Sequence, residues 1–140
     1  MRHHTIPRIV TKLLIPVILL FGLYVQFHGD FSAGGGFQAG VIFAAGFILY
    51  NIIFGLDIGK SILSVNTSKS LMALGVILYL MVGFLGILLG GNFLEYNYLS
   101  NTPINGQLLG IFLVELGVGL TVSNVMVLVF YSFNDISEEK

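Results

Sequence analysis

One carboxylic acid stands inside a long apolar stretch near the end of the chain. Glu115 lies within residues 108–130, where it is the only acidic residue. Placing an ionised carboxylate in an apolar helix within a bilayer is costly, and a low-dielectric environment favours its protonated form. We therefore expect Glu115 to line a proton or cation path, or to pair with a cationic residue of a neighbouring subunit. The alternative is a protonated side chain that donates one structural hydrogen bond to a backbone carbonyl.

Two further titratable residues lie in the segment that follows the first apolar stretch. This segment, residues 28–40, reads HGDFSAGGGFQAG and contains His28 and Asp30. Histidine changes its charge near neutral pH, so one interpretation of the pair is a proton relay at the membrane surface. A solvated loop contact is the simpler alternative.

The glycines of the same segment predict a tight turn followed by close helix packing. Gly34, Gly35 and Gly36 allow backbone conformations that other residues rarely adopt, and their N–H groups are able to surround an anion. A turn is favoured over a direct role in ion binding. Gly36 and Gly40 form a small-xxx-small pair, which is typical of close approach between membrane helices.

Other glycines predict packing faces in the later apolar stretches. Gly119 lies one helical turn after Glu115, so another helix backbone is expected to approach there. Gly83, Gly86 and Gly90 are interpreted as a second packing seam.

The remaining residues do not form a recognisable catalytic or metal-binding pattern. The chain has no Cys, and no Ser/His/Asp arrangement, phosphate loop or His/Glu metal cluster is evident. His3 and His4 lack an acidic or Cys companion nearby, so a solvated tail is favoured over a metal site. We expect neither an enzyme nor a cofactor or metal.

Composition then identifies the elements that must position these residues. Hydrophobic residues make up 56% of the 140 residues and charged residues only 9%, whereas soluble domains carry about 25% charged residues. Mean hydropathy is +0.94. The chain contains six Lys and Arg residues and seven Asp and Glu residues, so it lacks the excess of basic residues usual in nucleic-acid-binding proteins. An integral membrane protein in contact with lipid is predicted.

Four apolar stretches are long enough to cross a hydrocarbon core, which requires roughly 20 residues. They cover residues 10–27, 36–54, 71–89 and 108–130 and show no strand-like alternation. The sequence therefore predicts an all-α, four-helix membrane bundle in a single domain, residues 1–140. A helix beginning near Leu108 would place Glu115 about 10 Å below its end. The first stretch is expected to be retained, because no small-x-small cleavage site follows it.

Lys and Arg residues predict how the bundle is oriented. All six lie before the first stretch or at its start, between the second and third, or at the C-terminus. Because short basic loops stay in the cytoplasm, both termini are expected to be cytoplasmic and the other two connections external.

The glycine-rich segment resembles the small B subunit (MnhB/MrpB family) of multisubunit Na⁺/H⁺ antiporters. That family has the pattern Gly-His-x-x-Pro-Gly-Gly-Gly-Phe-x-x-Gly between its first two spans. Asp30 takes the place of the family's His, and Ala33 takes the place of its Pro. The run from Glu115 to Val118 resembles the family's acidic residue followed by Leu-Gly-Val. The matching residues of the segment are Gly29, Gly34, Gly35, Gly36, Phe37 and Gly40.

The resemblance implies a non-enzymatic subunit in the plasma membrane of a prokaryote, assembled with other membrane subunits that exchange Na⁺ for H⁺. One alternative is an assembly subunit of a related membrane-bound hydrogenase-like complex. Another is a stand-alone proton-coupled drug exporter, but such proteins carry their acid in the first helix, and their dual-topology members have almost no Lys/Arg bias. Here the acid lies in the fourth apolar stretch.

Overall fold

The computed structural model describes residues 5–29 and 35–138, with side chains of the last helix described as far as Ile136. His3, His4, Asp30 and Gly34 lie outside the described residues. No strand occurs in the described ranges, so the all-α fold is confirmed. The α-helices are α1 (Thr5–Phe27), α2 (Gly36–Phe54), α3 (Leu56–Ile62), α4 (Val65–Leu88) and α5 (Pro103–Glu138), and a 3₁₀ turn spans Tyr96–Leu99.

Helices α1, α2, α4 and α5 are long and apolar enough to cross a membrane. Helix α2 has the bounds of the second apolar stretch, but the other three helices begin five or six residues before theirs. Hydropathy marks only the apolar part of a helix, whereas backbone hydrogen bonding continues through polar residues. Helix α4, for example, begins where the hydroxyl of Ser64 accepts a hydrogen bond from the Thr67 N–H at 3.1 Å.

The four long helices pack in the order α1, α2, α5, α4, with α2 and α5 in the middle. Both α1 and α4 expose large apolar side chains along their outer faces, such as Leu20 and Ile77. The buried core is narrow and includes Ala44, Val127 and Tyr131. Lipid gives such helices no hydrophobic reason to associate, so close backbone contact through small residues holds them together.

The contact between α4 and α5 illustrates this packing. A Cβ atom on Gly75 would lie 2.6 Å from the carbonyl oxygen of Gly117, and one on Gly117 would lie 2.9 Å from the carbonyl oxygen of Gly75. Thr121 Oγ1 donates a hydrogen bond to the Gly117 carbonyl at 2.8 Å. The two helix backbones therefore touch at this point, which the sequence analysis did not single out.

The glycines predicted to form a packing seam in α4 instead face the connection to α5. The ring of Phe93 covers Gly83, and a Cβ atom on Gly86 would lie 2.8 Å from the Asn92 carbonyl oxygen. Gly90 has a φ of +95°, and a Cβ atom added to it would have no neighbouring atom within 4 Å. The expected packing role of Gly90 is therefore corrected: glycine is suited to this position because the chain turns there at the end of α4.

The helix ends fall into two groups, which define the two ends of the molecule. At the loop end α1 and α4 finish and α2 and α5 begin; at the terminal end α1 and α4 begin and α2 and α5 finish. Near the terminal end, Lys60 of α3 forms a 2.8 Å ion pair with Asp135 of α5. Tyr131 donates a hydrogen bond from its hydroxyl to the Leu63 carbonyl at 2.9 Å. These contacts hold the α3 segment against α5.

Candidate proton or cation site

Helix α5 extends well beyond the neighbouring ends of α1 and α2 at the loop end. The ring of Phe27, the last residue of α1, stacks on the ring of Phe112, with centroids 5.9 Å apart. Glu115 is 12 residues into α5, or about 18 Å along its axis. It therefore lies deeper from the start of its helix than the 10 Å expected from Leu108, because α5 begins at Pro103.

Glu115 lies where the chain leaves α1 and enters α2. Its carboxyl oxygens lie against the Cα atom of Gly29, so a Cβ atom added there would be 2.7 Å from Oε2. A Cβ atom on Gly35 would be 2.6 Å from Oε1. A Cβ atom on Gly36 would be 2.8 Å from the backbone carbonyl carbon of Glu115. These glycines leave the space that the side chain and backbone of Glu115 occupy, and the four residues are called the Glu115 site below.

The first turn of α2 supplies a favourable electrostatic environment for an anion. Gly35 precedes α2, has a φ of +144° and provides no side-chain cap for the first N–H groups of the helix. The N-terminus of a helix carries roughly half a positive elementary charge and unsatisfied N–H groups. The Glu115 carboxyl lies beside this terminus, where a negative charge interacts favourably with the helix.

The Glu115 site opens into a cleft of about 330 Å³, lined also by Phe37 and Gln38. Glu115 itself is only partly buried, and Phe37 is 62% exposed. The carboxyl group is therefore reached from the cleft as well as held by the glycines. An ion, water or a group from another protein is able to approach it there.

His28 and Asp30 differ in what the structure describes. His28 directly follows α1, and its ring stacks on that of Tyr24 with centroids 4.8 Å apart. The next residue, Gly29, contacts the Glu115 carboxyl. The chain therefore brings His28 beside the Glu115 site, whereas Asp30 lies outside the described residues.

The structure also reveals a polar residue that the sequence analysis overlooked. Gln26 of α1 is 5% exposed and lies against Gly119, the glycine one turn after Glu115. A Cβ atom on Gly119 would be 2.7 Å from Gln26 Oε1. The sequence signal was a single amide near the end of the first apolar stretch, where a polar residue is also compatible with a helix end at the membrane surface.

The packing glycines of α2 lie on the face toward α5. A Cβ atom on Gly40 would be 2.7 Å from the carbonyl oxygen of Gly119 and 3.0 Å from Val122 Cβ. Within the described part of the chain, no group of three His, Cys, Asp or Glu residues is placed to hold a metal ion. Among the described residues, the site itself offers the carboxyl group of Glu115 and backbone groups, with the amide of Gln26 and the ring of His28 nearby.

Comparisons with known proteins identify a family for the chain. Residues 6–128 match the family model described as a domain related to the MnhB subunit of Na⁺/H⁺ antiporters. Two relatives, from Staphylococcus haemolyticus and Staphylococcus aureus, carry the provisional name antiporter subunit mnhB2 and are 36% and 35% identical to this chain. Each alignment covers 91% of this chain and 92% of the relative. The family resemblance seen in the sequence is confirmed.

Proposed function

Because the chain belongs to the MnhB family, we propose that it is a membrane subunit of a multisubunit Na⁺/H⁺ antiporter and that Glu115 lies on the path of a proton or cation. The observation that carries this proposal is the contact of the Glu115 carboxyl with Gly29 and Gly35, beside the start of α2 and open to a cleft. A carboxyl group fixed there is suited to binding and releasing a proton or a monovalent cation.

Two opposing effects act on the protonation of Glu115. Apolar surroundings penalise the ionised form, and the N-terminus of α2 stabilises it. When both forms have similar free energies, a small change nearby is enough to shift the group between them. Binding of a cation in the cleft, or movement of a neighbouring subunit, would supply such a change.

Partner subunits complete the transport unit in this proposal. A row of helices with large apolar side chains on both edges does not enclose a transmembrane passage by itself. Phe37, exposed beside the cleft, adds an apolar surface next to Glu115. We propose that other membrane subunits contact this region and supply the remainder of the ion path.

The proposed orientation has the loop end outside the cell and the terminal end in the cytoplasm of a prokaryote. The basic residues in the described part of the chain all lie toward the terminal end of the molecule. They are Arg8 and Lys12 near the start of α1, Lys60 in α3, and Lys69 near the start of α4. Positively charged residues are retained on the cytoplasmic side of the plasma membrane. The Glu115 site would then be closer to the outer surface.

A purely structural role is the second candidate function, and one observation favours it. The Glu115 carboxyl lies at the uncapped start of α2, where it would stabilise the helix without moving any ion. Under this alternative the chain assembles the complex, and a neutral amide at residue 115 would largely preserve that role because it still offers a carbonyl acceptor.

Exchange measurements on two variants separate the ion path from the structural role. Glu115→Ala and Glu115→Gln are introduced into the full complex, and Na⁺-dependent proton movement is measured in everted membrane vesicles alongside co-purification of the partner subunits. The ion-path proposal predicts normal assembly and loss of exchange in both variants. Normal exchange by Glu115→Gln supports the structural role instead. Glu95→Gln, in the connection between α4 and α5, is the matched control.

A further inference from the structure

Gln26 has a buried side-chain amide with an unused hydrogen-bond donor. Its side chain is 5% exposed, and Nε2 has no hydrogen-bond partner among the described residues. An amide nitrogen carries two donors, and leaving them unpaired in a buried position is unfavourable. Such a group indicates that a hydrogen-bond acceptor occupies the position in the working protein.

Gln26 lies one helical turn deeper than the Glu115 carboxyl along the contact between α1 and α5. Gly29, three residues after Gln26, contacts the carboxyl group of Glu115. Gln26 itself contacts Gly119, four residues after Glu115. The two contacts therefore occupy successive turns, with the amide on the inner side of the acid.

The backbone carbonyl of Gly36 lies near the Gln26 amide, beside Gly119. A Cβ atom on Gly119 would be 2.7 Å from Gln26 Oε1 and 3.2 Å from the carbonyl oxygen of Gly36. Helical carbonyl oxygens keep a second lone pair after accepting their backbone hydrogen bond. Buried water is found beside groups of two to four polar atoms, and here the Gln26 amide and the Gly36 carbonyl both lie against Gly119, one helical turn from the Glu115 carboxyl.

We propose that Gln26 is a positioning residue of the Glu115 site, whose amide holds a buried water molecule on the inner side of the Glu115 carboxyl. This inference rests on the proposed function and deepens it. The water solvates the carboxylate when Glu115 has lost its proton, and it extends the polar region one turn toward the middle of the membrane. Exchange then depends on the amide although Gln26 carries no charge.

The test compares Gln26→Met, which keeps the length of the side chain but removes the amide, with Gln26→Asn, which keeps the amide. The intact complex is purified from each variant, and the carbonyl stretching band of protonated Glu115 is recorded by infrared spectroscopy. Its absence in Glu115→Gln assigns the band. Na⁺/H⁺ exchange is measured in the same preparations.

We expect Gln26→Met to assemble, to exchange about five- to tenfold more slowly, and to shift the Glu115 band to higher wavenumber, as loss of one hydrogen bond would. Gln26→Asn is expected to recover part of both effects. Ser68→Ala is the control and should change neither measurement. Like the Gln26 amide, the Ser68 hydroxyl is a buried polar group without a partner among the described residues.

Three results would overturn the inference. One is a Gln26→Met complex with normal exchange and an unshifted band. Another is a Gln26→Met chain that fails to join the complex, since the amide would then serve packing. The third is an altered exchange rate with an unshifted band. Normal exchange by Glu115→Gln would instead remove the proposed function, so the two failures are distinguishable.

Discussion

The carboxyl group of Glu115 lies against the Cα atom of Gly35, the residue that directly precedes helix α2. A side chain at residue 35 and the carboxyl group cannot occupy the same space, since a Cβ atom there would be 2.6 Å from Oε1. This contact joins the glycine-rich segment to the acidic residue 80 positions later in the chain. The two features that stand apart in the sequence are therefore parts of one site.

Gly35→Ala is predicted to displace the Glu115 carboxyl and to lower Na⁺/H⁺ exchange at least tenfold. The new methyl group would overlap Oε1, and the φ of +144° adds backbone strain. The measurement is exchange in everted vesicles, with co-purification of the partner subunits as the test of assembly.

Gly90→Ala controls for the strain. Gly90 also has a positive φ, +95°, but no atom lies within 4 Å of the added methyl group. Exchange should therefore stay near normal in this variant. Equal losses of exchange in the two variants would show that backbone strain, rather than contact with Glu115, causes the defect.

Gly75→Val is predicted to separate α4 from α5. A Cβ atom at Gly75 would be 2.6 Å from the Gly117 carbonyl oxygen, and the backbones must move apart to accept a branched side chain. Overpacking of this kind costs about 1–3 kcal/mol. We expect a lower melting temperature of the purified chain and less co-purification with partners.

Ala73→Val is the matched control for this prediction, because Ala73 lies on the same helix but is exposed. Its melting temperature should stay close to that of the unmodified chain. If Ala73→Val and Gly75→Val lowered the melting temperature equally, the close contact between α4 and α5 would not be what stabilises this helix pair.

Tyr96 is predicted to make the folded protein less stable at alkaline pH. Burial, with a smaller contribution from Tyr79, raises the pKa of Tyr96 above its ordinary value of 10.0. The unfolded chain therefore loses this proton at lower pH than the folded chain does. The stabilisation is fully present below pH 10.0 and is lost as the pH rises from there through the raised pKa of the folded state.

Thermal unfolding measured from pH 9 to pH 11.5 tests this prediction. Tyr96→Phe should reduce the alkaline loss of stability, and Tyr98→Phe, on the exposed side of the same connection, serves as the control. An unchanged alkaline slope in Tyr96→Phe would contradict the assignment to Tyr96.

The sequence was sufficient to predict the helical class and the four long apolar helices, because continuous apolar runs leave few alternatives in a membrane. It was insufficient for contacts between distant residues. Gly75 meets Gly117, and Gln26 meets Gly119, because of how the helices pack in three dimensions. Neither contact is visible in local composition. The short helix α3 also went unpredicted, since seven residues give little periodicity.

A glycine in the sequence does not by itself reveal whether close packing or an unusual backbone angle requires it there. Gly83, Gly86 and Gly90 follow one another at helical intervals of three and four residues, yet the first two lie under the connection to α5 and the last lies just after α4 with a positive φ. A residue without a side chain satisfies close packing and unusual backbone angles equally well. Only the positions of neighbouring atoms distinguish the two.

The most direct test of the central claim is the rate of Na⁺/H⁺ exchange by the purified complex, reconstituted into lipid vesicles, with Glu115 replaced by Gln. Glutamine keeps the size of the side chain and a carbonyl acceptor but cannot bind or release a proton at neutral pH. The account predicts an intact complex whose exchange falls at least a hundredfold. An intact Glu115→Gln complex that exchanges Na⁺ for H⁺ at the rate of the unmodified protein would contradict it.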